Sequence, residues 1–376
     1  MIETLTIGSL VLVGFTLAVT LANVIWWPVV SAAGTTESGA ISVLIPARDE
    51  ADNITPCLEA VLRGGASIGE VVIYDDRSED STAALVRSHA AHDPRVRLLE
   101  GGTLPPGWCG KNHGCATLAA AARGRWLLFL DADARLAPGA ADRLLAEASA
   151  RRATMISAWP ALVMVSFWER ALMPMLNVVT FSLFPAPLSF LRDDPSLGLV
   201  HGACILVERD AYARVGGHAA VKGEIFEDQR LAHLWRARGE RGFCLDGRTA
   251  VSVRMYRSLG EIWRGFQKNF YPAFEHEWTF WGYLALHGTV FTLPMILLLV
   301  APSWLAVAAF AGAATVRILL AARFRHPLWA VLMHPVAEIV LLGIALASWY
   351  RCRTGRGVDW KGRRYLARSR RGAGIT

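Results

Sequence analysis

The chain has 376 residues, 53% of them apolar, and a mean hydropathy of +0.32. That is too apolar for an ordinary soluble enzyme, so membrane segments are sought first. The net charge of +7 concentrates in the last stretch, RCRTGRGVDWKGRRYLARSRR, behind a hydrophobic segment; this suits anionic lipid headgroups and carries no interleaved aromatic array of the kind that binds nucleic acid.

Residues 7–30 are uncharged and end near a Trp pair, as a bilayer span with an interfacial belt does. No positive n-region precedes them and they are too long for a signal-peptide core. From about residue 40 the pattern becomes strand, turn, helix. ISVLIP, EVVIYDD, VRLLE and WLLFLDAD read as strands, and DEADNITPCLEAVLR, SEDSTAALVRSHAA and NHGCATLAAAARG as helices. Continuous apolar strands alternating with helices predict an α/β domain with a mostly parallel sheet covered on both faces. Functional residues of such sheets gather at the carboxyl ends of strands, where Asp75, Asp76, Asp131 and Asp133 fall.

Residues 158–192 are apolar but broken by Glu169, Arg170 and internal prolines, which predicts either an interfacial helix pair or a buried helical hairpin. Further spans are expected near 279–300, 303–323 and 328–350. The connection AARFRHP and the tail are both basic, so both should be cytosolic. A single span cannot place both its ends on one side. Either 328–350, with His334, Pro335 and Glu338, re-enters or lies in the interface, or one loop breaks the charge rule. The expected organisation is a transmembrane helix in 1–32, a sheet domain over 38–277 with a helical insert near 160–192, membrane helices over 278–350, and a basic cytosolic tail over 351–376.

The residue chemistry follows the same order. Asp75 and Asp76 either accept from a nucleoside base or ribose, or cap the next helix, a task Ser78 and Asp80 can also do. Lys111, in the glycine-flanked loop PPGWCGKNHG, sits where a helix N-terminus and an ammonium meet a phosphate. Cys109 and Cys115 flank it with His113 at a spacing zinc sites do not use, and the six cysteines read as reduced thiols. Asp131 and Asp133, two apart on an extended segment, point to one side. Carboxylates so placed repel unless a hard cation such as Mg²⁺ or Mn²⁺ bridges them to phosphate oxygens; a solvated turn is the plainer alternative. His201 and His218 bracket a strand–helix unit in which Gly216 and Gly217 predict a tight turn, and both read as structural or acceptor-lining. Glu227 and Asp228 open a helical pattern and serve either as general base or as helix-terminus acids.

Taken together, SVLIPARDEADNITPCLEAVL, EVVIYDDRSEDST, FLDADARL, GGH and FEDQRL resemble, in order and spacing, the family 2 glycosyltransferases of GT-A (Rossmann-like) fold. LPPGWCGKNHGC, VRMYRS and GVDWKGRRY are similar to the membrane members that act in carotenoid and hopanoid pathways. The resemblance implies a nucleotide-sugar donor, a UDP-sugar, held by Pro46, Arg48, Glu50, Asp75, Asp76, Lys111 and Asp131. It implies a divalent metal on Asp133 with Asp131, Asp228 as base with Glu227 in reserve, and an acceptor side lined by His201, Gly202, Arg254 and Arg257. It further implies inverting transfer to a membrane isoprenoid lipid at the cytosolic face of the inner membrane. The Q-x-x-R-W motif of processive members is missing, which predicts one sugar per acceptor. Two alternatives remain: a polyprenyl-phosphate acceptor, and a catalytically silent sugar-nucleotide-binding membrane protein.

Overall fold

The computed structural model describes residues 1–31 and 37–365. The chain divides into two compact units, each made of several chain segments. The first comprises 27–163 and 186–255. Its strands are β1 (Ile41–Ala47), β2 (Ile68–Asp75), β3 (Val96–Glu100), β4 (Trp126–Leu130), β5 (Ala134–Leu136), β6 (Met155–Trp159), β7 (Ala161–Leu162), β8 (Cys204–Glu208), β9 (Gly242–Asp246) and β10 (Val251–Val253). Seven form one sheet in the order β3-β2-β1-β4-β8-β6-β9; β5, β10 and β7 form a small second one. Only β8 runs antiparallel to its neighbours in the large sheet.

Alternation on β1 shows why the sheet is double-faced. Val43 and Ile45 enter one buried cluster with Ile73 and Leu128, while Leu44 enters the opposite cluster with Val72, Leu127 and Phe129. Each such side chain, removed from water, stabilises the fold by roughly 1.5–3 kcal/mol. Because β1, β2 and β4 are parallel, their carboxyl ends share one edge, and the loops 48–50, 76–80 and 131–133 leave from it.

Residues 28–30 do not continue the first long helix. That helix stops at Trp26, since Pro28 lacks an N–H and disfavours helix before it. Val30 and Asp246 then exchange backbone bonds with this segment at the β9 edge, Val30 N–H to Asp246 O and Asp246 N–H to Pro28 O, both 2.9 Å. The span expected to reach residue 30 is therefore shorter at this end.

The second unit comprises 1–26, 164–185 and residues from 256 onward. Among the described residues, four of its helices are long and apolar enough to cross a membrane: Ile2–Trp26, Glu277–Val300, Trp304–Phe324 and His334–Arg353. Two expectations shift here. The stretch 158–192 begins within strands β6 and β7; its α-helices are Phe167–Leu172 and Pro174–Phe181, the first started by a Ser166–Glu169 capping box, and a 3-10 turn follows at Ala186–Phe190. Residues 256–277, expected with the sheet, cluster with the long helices, because helix Leu259–Asn269 packs against His334–Arg353, with Trp263 over Gly343 and Ser348 Oγ donating to Gln267 O at 2.7 Å. Of the basic tail, 366–376 lie outside the described residues.

Candidate active site

At the shared strand edge, two loops are stitched together. Asp76 N–H donates to Ala47 O and Arg48 donates to Asp76 O, both at 2.8 Å. Asp49 N–H reaches Ser78 Oγ at 2.9 Å, Glu50 N–H reaches Thr82 Oγ1 at 2.8 Å, and Ala51 N–H reaches Asp80 Oδ2 at 3.0 Å. Ser78 thus tethers the neighbouring loop, and only Asp80 also caps its own helix, through Thr82 N–H at 2.9 Å. Asp49 and Arg77 adopt φ of 51° and 58°, a region that costs a non-glycine residue about 1–2 kcal/mol. Asp75 and Asp76 are both buried, and Asp75 Oδ1 has no hydrogen-bond partner. Pro46 lies on β1 directly opposite Tyr74 of β2.

The Asp131–Asp133 pair sits differently from the expected extended segment. β4 ends at Leu130, and Ala134 N–H donates to Asp131 O at 3.0 Å, closing a turn. Arg135 fastens that turn by donating to the carbonyls of Ala132 and Ala134 at 3.0 and 2.8 Å. This staple role was not visible in the sequence, since the acceptors are backbone oxygens.

Lys111 is the hub. Its Nζ lies 2.9 Å from Asp131 Oδ1 and 3.1 Å from Glu227 Oε1. It is carried by helix Gly110–Ala121, and the next residue, buried Asn112, donates to the carbonyls of Val221, Lys222 and Glu224 at 2.8, 3.3 and 3.0 Å. That amide holds the loop that delivers helix Glu227–Ala237. Asp228 accepts from Gly202 N–H at 2.9 Å and from Gln229 N–H at 2.8 Å. Helix-terminus acid and site carboxylate are therefore one residue. Arg254 follows β10 in this unit, whereas Arg257 belongs to the helical unit, where its N–H donates to Glu261 at 2.8 Å.

The electrostatics show a shortage of positive charge. Burial, then the Asp131 and Glu50 carboxylates, push Asp133 up to about 7. Burial and Glu227 push Asp228 up to about 6. Burial opposes the Lys111 ammonium, but Asp131 and Glu227 outweigh it and hold its pKa well above the usual value. Asp133 Oδ1 is buried without a partner. Among the described residues no three Asp, Glu, His or Cys side chains converge into a cation cage. Asp131 and Asp133 offer oxygen donors of the kind a hard divalent ion takes, and such an ion would need its remaining ligands from outside the protein.

Gly202 lies in close approach to two of these side chains. A Cβ there would lie 2.9 Å from Asp228 Oδ2 and 3.3 Å from Lys111 Nζ. Gly202→Ala should therefore lower turnover by about 10- to 100-fold, as misplacement of reacting groups does, with an unchanged circular dichroism spectrum. Unaltered turnover would show that Asp228 and Lys111 tolerate displacement.

Two histidines report on the same fold. Burial pushes His201 down to about 3, with Lys111 adding to the effect, and His218 down to about 4. His218 shares a 2.9 Å hydrogen bond between its Nδ1 and the Tyr212 hydroxyl. Between these values and the unfolded 6.5, the unfolded chain binds protons the native chain refuses, so stability falls as pH drops from about 6.5 to 4. Asp133 and Asp228 act with the opposite sign. His218→Gln should flatten the acid limb of a melting-temperature profile; an unchanged slope would remove His218 from the account.

Residues 42–216 match the profile of glycosyl transferase family 2. These residues, nearly half of the chain, form a glycosyl transferase family 2 domain. It is a distant homologue of 4,4'-diaponeurosporenoate glycosyltransferase of Staphylococcus aureus, 25% identical over 345 residues that cover 87% of this chain and 88% of the relative. A mannosyltransferase of Pyrobaculum calidifontis, solved in complex with GDP-Man and Mn2+, matches with a TM-score of 0.55 at 20% identity, over 93% of this chain and 98% of its own. The mostly parallel sheet is thus the GT-A-like fold, joined here to several long apolar helices. As a family 2 enzyme, the protein transfers a sugar from a nucleotide-sugar.

Proposed function

We propose that this family 2 enzyme performs inverting, metal-dependent transfer of one sugar to a membrane lipid acceptor, an isoprenoid of carotenoid or hopanoid type. The observation that carries the reading is the relation, along most of the chain, to a glycosyltransferase whose name denotes a carotenoid carboxylate acceptor. The long apolar helices support a lipid partner and placement in the inner membrane with the sheet domain cytosolic.

In this reading the loops 48–50 and 75–80 take the nucleoside. A Mg²⁺ or Mn²⁺ ion on Asp133 and Asp131 would supply charge neutralisation for the leaving diphosphate. Lys111 presents its ammonium beside Asp131, where the same diphosphate charge develops. The acceptor oxygen attacks the anomeric carbon from the face opposite the diphosphate. The carbon–oxygen bond to the diphosphate breaks, and its electron pair leaves with the nucleoside diphosphate. A hydroxyl acceptor passes its proton to Asp228; a carboxylate acceptor is already ionised at pH 7 and passes none.

The direct test is incubation of the purified protein with a panel of sugar nucleotides and total membrane lipids, read by mass spectrometry. The reading predicts a single-hexose adduct on an isoprenoid lipid. Transfer only to polyprenyl phosphate would replace it with the second acceptor class, and nucleotide-sugar binding with no adduct would make the protein a silent binder.

A further inference from the structure

The helix His334–Arg353 meets the length and hydropathy of a span, yet its neighbours place it otherwise. It runs antiparallel to Glu277–Val300. At its start, the His334 ring lies 5.5 Å from the Phe291 ring, and one turn later Glu338 meets His287 Nε2 at 3.0 Å. At its end, Trp349 Nε1 donates to Glu277 Oε1 at 2.8 Å and Arg353 lies 3.5 Å from Glu277 Oε2. The helix therefore begins level with Phe291, about 20 Å along the neighbouring span from Glu277 at 1.5 Å per residue, and short of that span's far end at Val300.

The preceding helix fixes the entry. Trp304–Phe324 runs parallel to Ile2–Trp26, with Gly312 against Val13. It ends beside Phe181, whose carbonyl accepts from Asn23 near the end of the first helix, and the Phe181 and Phe324 rings lie 5.2 Å apart. The chain then descends through 325–333 to His334 and climbs back to Glu277. We infer that residues 325–353 form a re-entrant hairpin that enters and leaves the bilayer on the face where the first helix ends, so that three long helices cross and the cationic ends of the hairpin meet the anionic headgroups of one leaflet.

The tip explains how such a hairpin is held. Charged groups at membrane depth are costly unless paired within protein. Glu338 is 1% and Arg317 2% exposed. Glu338 is paired by His287, with His334 Nδ1 3.5 Å away, and Arg317 donates to Ala330 O on the descending limb at 3.4 Å. Leu328 and Leu332 of that limb are instead exposed and apolar, as lipid-facing side chains are. The arrangement also removes the conflict in charge placement: Arg325 at the entry and Arg351, Arg353 and Arg356 at the exit fall on one side.

The inference rests on reading the long helices as membrane spans, and the test separates the two. In a Cys352→Ser background, Pro302→Cys, Arg325→Cys and Thr354→Cys are labelled one at a time with a membrane-impermeant maleimide in sealed vesicles of both orientations. The hairpin predicts Arg325→Cys and Thr354→Cys labelled from one side and Pro302→Cys from the other. Thr354→Cys labelled with Pro302→Cys, opposite Arg325→Cys, would overturn the hairpin and keep the spans. Labelling of all three without sidedness would overturn the membrane reading itself, and any other pattern overturns the hairpin.

Discussion

Asp133→Asn should lower sugar transfer about a thousandfold or more while leaving the protein folded. Asparagine keeps the shape but not the charge, and a neutral amide is a poor ligand beside a single carboxylate for a hard divalent ion. The loss of neutralisation on a leaving diphosphate removes the largest electrostatic contribution to the barrier reduction. Stability should move the other way. Asp133 is held protonated up to about 7 by burial and by the carboxylates of Asp131 and Glu50. Above that pH the ionised group repels its neighbours, and the amide relieves this. The wild-type protein should therefore show a rise in melting temperature with Mn²⁺ or Mg²⁺, and the variant a higher baseline with little response. Transfer that persists in the variant, or in wild type with a divalent chelator, would sink the metal role of the pair.

Asp228→Asn should cost less than about tenfold if the acceptor is a carboxylate. The amide oxygen keeps Gly202 N–H in place as Oδ2 did, while the bond from Gln229 N–H to Oδ1 is given up, so most of the local geometry survives. General-base catalysis is worth about 100- to 10,000-fold where a proton must be removed, and an ionised acceptor has none to give. With a hydroxyl acceptor the wild-type rate should fall as pH drops below about 6, the value to which burial and Glu227 raise Asp228; with a carboxylate acceptor that group should leave no imprint on the profile. A loss of a thousandfold, with such an acid limb, would assign the acceptor to the alcohols.

The strands were readable because their signal is local. ISVLIP and VVIYDD are apolar runs that end in polar residues, and the structure ends β1 and β2 within a residue of those expectations. The turn at Asp131 was not readable, because what stops β4 is a backbone bond from Ala134 and the reach of Arg135, neither of which leaves a compositional trace. Lys111 could be singled out from its loop, but its partners Asp131 and Glu227 lie far along the chain, and only the packed sheet brings them within 3.1 Å. That residues 256–277 cluster with the long helices was not readable for a related reason. An amphipathic helix such as Leu259–Asn269 announces that it has an apolar face, not which neighbour covers it.

The chain passes between its two compact units at 26/27, 163/164, 185/186 and 255/256. This interleaving bears on biosynthesis. β8 and β9 emerge from the ribosome only after 164–185 has been made, yet β8 must insert between β4 and β6, which were completed earlier. The central sheet therefore cannot close while the nascent chain is still on its first pass, and the early strands wait with β4 and β6 edges open until the later segment arrives. No contiguous stretch of the gene encodes the catalytic fold. Isolating the sheet unit alone requires ends at 27 and 255 and a linker bridging 163 to 186, and truncation anywhere between β1 and β10 would remove strands.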